Sequence, residues 1–247
     1  MNFYQNKNIW IIGASFGIGA EIFHQLDKLG ANLVVSARSL EALSKLILEK
    51  PNHLAIALDI AREQDFDIAI SQIKSKWQKI DLIIFCAGIY SPMNADNFDL
   101  AEAKKILEVN FGGFVNFIGK ILPEIKQKNV AHIAAISSVA SYFGMPNSMC
   151  YGASKAAFSN FVEGLYFDLK KFETKVTLIN PGFIKTRLTD KNNFVMPMIA
   201  TAPQIAAHII KKLPKADFEI YFPRVFVLIM KFFRLLPFCL RRKLLNF

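Results

Sequence analysis

Short apolar runs along the chain alternate with longer stretches in which apolar residues recur every three or four positions. The runs at residues 8–12, 33–37, 53–58, 82–85, 130–138 and 175–180 are almost unbroken by polar side chains, which predicts strands buried on both faces. The intervening stretches carry helical spacing. Ile22, Phe23, Leu26 and Leu29 share one face and Gly30 supplies a stop. Helices are also expected over residues 40–50, closed by Pro51, and over 62–77, 98–128 and 151–171. Thr201-Ala202-Pro203-Gln204 has the form of a capping box and predicts another helix, and residues 219–222 read as a last short strand. Strand and helix alternating at this spacing argue for an α/β protein whose parallel sheet is covered on both sides.

Chemistry concentrates where strands end. The first strand runs into Gly13-Ala14-Ser15-Phe16-Gly17-Ile18-Gly19 and then a helix. Glycines permit a tight turn and close backbone approach, and a helix start offers free N–H groups to a phosphate. Taken alone this is also an ordinary βα turn. The second strand ends at Arg38-Ser39 with no acid. An acid there would suit a free ribose hydroxyl and an arginine suits a 2′-phosphate, so a dinucleotide bound here is expected to be NADP(H) rather than NAD(H). Ser138 closes the fifth run, and Tyr151-Gly152-Ala153-Ser154-Lys155 opens the following helix. Residues four apart stack on one helix face, so the Lys155 ammonium should lie one turn from the Tyr151 ring and pull its acidity toward a useful range. Each of these groups alone also reads as an ordinary surface pair or a strand-end hydroxyl.

At 247 residues the chain suits one domain, and no internal repeat or linker divides it. Its apolar fraction of 53% and its 23 phenylalanines point to greasy surfaces or a greasy substrate. The net charge of +10 is uneven: residues 224–247 hold six cations and no acid, which leaves +4 for the rest. That distribution, without a recognised nucleic-acid fold, argues against nucleic acid as a partner. The three cysteines, Cys86, Cys150 and Cys239, are odd in number and lack metal-ligand spacing, so no metal is expected and a reducing compartment is. Residues 1–8 are polar and do not read as a signal peptide, so a cytoplasmic location is expected.

Together these motifs resemble the short-chain dehydrogenase/reductase family over about residues 8–222. The resemblance implies a single-domain, doubly wound parallel sheet of Rossmann type. It places Asn110, Ser138, Tyr151 and Lys155 on the catalytic tetrad, with the family's interval from Ser138 to Tyr151. It implies cofactor contacts from Gly13, Ser15, Phe16, Gly17, Ile18, Gly19, Arg38, Ser39, Asp59, Ile60, Ala87 and Gly88, and from Asn110, Tyr151, Lys155, Pro181, Gly182, Ile184 and Thr186. Asp59 falls where adenine is met, and Pro181, Gly182 and Thr186 where the carboxamide is held. The chain departs from the family pattern at Ile12, in place of threonine, and at Phe85-Cys86, in place of two asparagines. The missing side chains have hydrogen-bonding roles, so these departures should bear on local stability more than on chemistry.

The implied reaction is reduction of a carbonyl, or oxidation of the matching alcohol, with Tyr151 as general acid/base. Ser138 would hydrogen-bond the carbonyl oxygen, Lys155 would tune Tyr151 and hold the ribose, and Asn110 would hold a relay water. The segment between Gly182 and Pro203 folds over substrate in the family. Here it carries Phe183, Ile184, Leu188, Phe194, Val195, Met196, Met198 and Ile199, which suits a hydrophobic, lipid-like substrate or else simply closes the core. A catalytically idle NADP-binding sensor or scaffold is the alternative from a different class. A homodimer or homotetramer is expected. Residues 223–247 form a basic, amphipathic C-terminal extension, too interrupted to span a bilayer. It reads either as a helix lying peripherally on an anionic membrane or as one packed on the pocket or a subunit partner.

Overall fold

A computed structural model describes residues 2–48, 50 and 52–245; Pro51, expected to close the second helix, lies outside them. The chain begins β1 (Asn8–Ile12), α1 (Gly17–Lys28), β2 (Asn32–Ala37), α2 (Leu40–Leu46), β3 (Leu54–Ala57), α3 (Glu63–Lys76) and β4 (Leu82–Phe85). It continues through α4 (Leu100–Leu107), α5 (Gly113–Lys126), β5 (His132–Ile136), α6 (Met149–Asp168) and β6 (Lys175–Pro181). A two-strand ribbon follows, β7 (Ile184–Lys185) against β8 (Ala200–Thr201), and then α7 (Ala202–Lys212) and β9 (Glu219–Phe222). The described chain ends in α8 (Arg224–Leu235) and α9 (Phe238–Leu245).

Seven parallel strands form the main sheet in the order β3-β2-β1-β4-β5-β6-β9. Because side chains alternate across a strand, β1 sends Ile9 and Ile11 into one core and Trp10 and Ile12 into the other. The first core is closed by α1 and α7, through Ile22, Phe23, Ile205 and Ile209. The second is closed by α3, α5 and α6 and is dominated by Phe66, Phe114, Phe117 and Phe158. Phe85 sits inside that aromatic group, its ring 5.0 Å from Phe114 and 5.4 Å from Phe117. This departure from the family pattern therefore exchanges polar pairing for packing. Truncating such a ring typically costs about 3–5 kcal/mol.

Several boundaries differ from those expected, each for a local reason. The fifth strand stops at Ile136 because Ser138 turns the chain, its hydroxyl accepting the Ala140 N–H at 3.1 Å at the start of a single 3₁₀ turn. The long helix expected over 98–128 is divided by a π-helical turn at Glu108–Gly112. The C-terminal segment is two helices rather than one. Pro237 cannot donate an N–H, and the residue before a proline avoids helical angles; Leu236 accordingly sits extended at φ −70, ψ 140.

Candidate active site

The sheet order reverses between β1 and β4, so the loops leaving their carboxyl ends splay apart and open a cleft. The turn after β1 can be built only from glycines at two points. Gly13 has φ +91, and a methyl group there would lie 2.6 Å from the Ala87 nitrogen. A methyl group at Gly19 would lie 2.2 Å from the Gly13 carbonyl oxygen. Helix α1 then starts at Gly17 with no side-chain cap and no acid in its first turn, which leaves its leading N–H groups free for an anion. Thr186 packs across the turn, its methyl 3.5 Å from where a Gly17 side chain would begin.

At the far end of the cleft Arg38 is exposed and has no ion-pair partner among the described residues. Ser39 uses its hydroxyl to cap α2, accepting the Ala42 N–H at 3.2 Å. Asp59 accepts the Ala61 N–H at 3.1 Å, which fixes the loop that carries Ile60.

At the other end Tyr151 occupies the first turn of α6 with Lys155 one turn on, while Ser138 reaches the same wall from beyond β5. The Lys155 Nζ donates to the Ile136 carbonyl at 3.0 Å and lies 6.0 Å from the centre of the Tyr151 ring. Burial pushes the Tyr151 phenol up to about 12, and the Ser138 hydroxyl beside it works in the opposite direction. Burial also lowers Lys155 to about 8. Helix spacing alone predicts that the ammonium brings the phenol down. Here desolvation outweighs every other influence on the phenol, and the Lys155 ammonium commits a hydrogen bond to the Ile136 carbonyl.

Asn110 lies in the π-helical turn, fully buried and off the cavity wall. It accepts the Ile89 N–H at 2.7 Å and donates to the Ile89 carbonyl at 2.9 Å and the Ser154 hydroxyl at 3.0 Å. Both amide hydrogens are thus committed to protein, and one lone pair of the amide oxygen is left to receive a water. Gly88 sits between Asn110 and Lys155: a methyl group there would meet Asn110 Oδ1 at 3.2 Å and Lys155 Nζ at 3.7 Å.

One cavity of about 1410 Å³ joins the two ends. Every residue expected at the cofactor or catalytic site lines it except Gly19, which lies beneath the turn, and Asn110. A ligand pocket is typically about 300–1,000 Å³, so the cleft has room for a dinucleotide and a second molecule. The glycine cradle, the uncapped helix start and the lone arginine fit such a cofactor. Sequence reasoning missed Tyr90, whose ring meets Tyr151 edge-on at 4.9 Å and whose hydroxyl donates to Asn192 at 2.6 Å. No spacing marks Tyr90, because it lies in a loop. It also left open that α8 lines the cavity, through Phe226, Met230 and Phe233. Their i, i+4, i+7 spacing was visible, but not what that face meets.

Comparison with known proteins gives the same picture. A family model of short chain dehydrogenases matches residues 7–194. An uncharacterised oxidoreductase of Myxococcus xanthus is 28% identical over 221 residues, covering 86% of each chain. The 11-beta-hydroxysteroid dehydrogenase A of Sesamum indicum is 30% identical over 189 residues, which cover 74% of this chain and 54% of that protein. A crystal structure of a short chain dehydrogenase from Burkholderia cenocepacia in complex with NADP superposes with a TM-score of 0.85 at 24% identity, covering 98% of this chain and 99% of that one.

Proposed function

The chain belongs to the short-chain dehydrogenase/reductase family of oxidoreductases, and from that premise we propose that it is an NADP(H)-dependent reductase of carbonyl groups on hydrophobic, lipid-like molecules. The observation that carries the reading is the single cavity: a phenol, a hydroxyl and an ammonium on one wall, continuous with a glycine cradle suited to a dinucleotide. A bound nicotinamide supplies the hydride. The glycine turn and the start of α1 hold the pyrophosphate, Arg38 the 2′-phosphate, and Lys155 the nearby ribose.

Tyr151 is the proton donor. With its pKa near 12 the phenol stays protonated at neutral pH, the form needed to neutralise an oxygen that gains negative charge. Ser138 donates a hydrogen bond to that same oxygen as the charge develops. Lys155 places a positive charge near the phenolate left behind, and Asn110 holds the loop against which Lys155 is set.

The substrate end is apolar. Val139, Met145, Phe183, Phe226, Met230 and Phe233 form one apolar cluster on the cavity wall, and Asn147, Ser148 and Asn192 also line the cavity. The β7–β8 ribbon ties the base of the segment that carries Phe194, Val195 and Met198 over the opening. The test is NADPH oxidation against a panel of aliphatic, isoprenoid and sterol ketones with wild type and Tyr151→Phe. The variant should still bind NADPH yet turn over about 10²–10⁴-fold more slowly. A variant of near wild-type rate would remove Tyr151 from the role of acid.

A further inference from the structure

Helix α8 is apolar on two opposite sides, and only one of them is used by the fold. Taking about 100° per residue, Phe226, Val227 and Met230 form one sector, which is buried against Val139, Tyr142 and Phe143. Val225, Leu228, Phe232 and Leu235 form the opposite sector and are 60%, 53%, 58% and 82% exposed. Arg224 and Lys231 run between the two sectors along one flank, while Arg234 falls within the arc of the buried sector and stays exposed at its end, its guanidinium 5.9 Å from the centre of the Tyr142 ring. Lys231 is ion-paired with Glu219. Arg224 and Arg234, and Arg242 and Lys243 on α9, have no acidic partner among the described residues.

We propose that the outer face of α8, continued by α9, docks on an anionic lipid surface. A helix with an exposed apolar strip and a cationic flank has the chemistry of an interfacial helix. Its 12 residues are too short to span a bilayer, and no described helix is long and apolar enough to cross one, so it lies in the interface plane. A second copy of the chain is the poorer occupant. Residues 224–247 hold six cations and no acid, so pairing this face with itself would set like charges together.

The placement also bears on how substrate arrives. Ile229 of α8 and Phe194, Val195 and Met198 of the overlying segment line the cavity and are nonetheless 40%, 43%, 93% and 51% exposed. They mark where the cavity opens, beside the docking face. An apolar carbonyl compound dissolved in the bilayer would then enter without crossing water. This delivery step rests on the reductase reading above; the docking does not.

The experiment is flotation of the full chain with vesicles of phosphatidylcholine alone or mixed with phosphatidylglycerol, without any carbonyl substrate. Wild type should float with the anionic vesicles and be released by salt. Each unpaired cation replaced by alanine should weaken partitioning about fivefold. The double variant Leu228→Glu/Phe232→Glu touches neither cavity nor catalytic group; it should lose at least about tenfold in partitioning while NADPH binding and circular dichroism are unchanged. Wild type left in solution with anionic vesicles, or a double variant that floats as well as wild type, overturns the docking. Sedimentation in which the double variant turns a dimer into monomers while wild type ignores vesicles assigns the face to a second copy instead. An active reductase that fails to float sinks the docking alone, and a floating protein with no turnover sinks only the reductase reading.

Discussion

Replacing Lys155 with methionine should make the protein more stable at neutral pH while it removes activity. Lys155 is 4% exposed, and burial lowers its pKa from the ordinary 10.5 to about 8. Each unit corresponds to about 1.4 kcal/mol, so holding the ammonium in the folded state at pH 7 costs about 3 kcal/mol relative to the unfolded chain. Because the folded value is the lower one, the unfolded chain binds more protons between about pH 8 and 10.5. The cost is therefore complete below that window and is relieved as pH rises through it. Methionine keeps the length of the stem and its contact with the Phe158 ring, which Nζ approaches to 4.9 Å. It gives up the 3.0 Å bond to the Ile136 carbonyl, and leaving that acceptor short of a donor costs about 1–2 kcal/mol. The balance is a gain of about 1–2 kcal/mol, or about 3–6 °C in Tm for a chain of this size. Urea unfolding of both proteins at pH 7 and pH 10, without cofactor, reads the effect directly. The variant should lead at pH 7 and the gap should close by pH 10. A variant less stable at pH 7 by a margin that persists at pH 10 would mean that the ammonium is not held at a net cost, and the argument for a strained catalytic cation would fail.

Two further changes probe the ends of the cleft. Arg38→Ala should raise the KM for NADPH about tenfold and leave that for NADH unchanged, since an exposed arginine contributes chiefly through a charge-assisted bond to a phosphate; equal effects on the two cofactors would refute the assignment. Tyr90→Phe removes the 2.6 Å bond to Asn192, which ties the catalytic wall to the segment over the substrate. It should raise substrate KM about fivefold with little change in NADPH affinity, as the loss of one bond of about 1 kcal/mol requires, and steady-state kinetics with unchanged substrate KM would separate Tyr90 from substrate binding.

Most of the fold was written in local patterns. The apolar runs that became β1, β2, β4 and β6 needed only their period, because a strand buried on both faces must be apolar throughout. The turn at Gly13 and Gly19 was equally legible, since no other residue fits where a methyl group would meet backbone within 3 Å. Tyr151 and Lys155 were placed one turn apart by helix geometry alone.

Tertiary structure decided what those groups experience. Whether Lys155 tunes Tyr151 depends on where Nζ turns and on how dry the wall is, and burial reversed the direction expected for the phenol. Tyr90 joined the site through a loop that carries no period. The two apolar sides of α8 look alike in sequence; the chain fold buried Phe226 and Met230 over the cavity and left Leu228 and Phe232 facing out. A sequence records which side chains can repel water, whereas the surface each one meets is set by long-range packing that no local window contains.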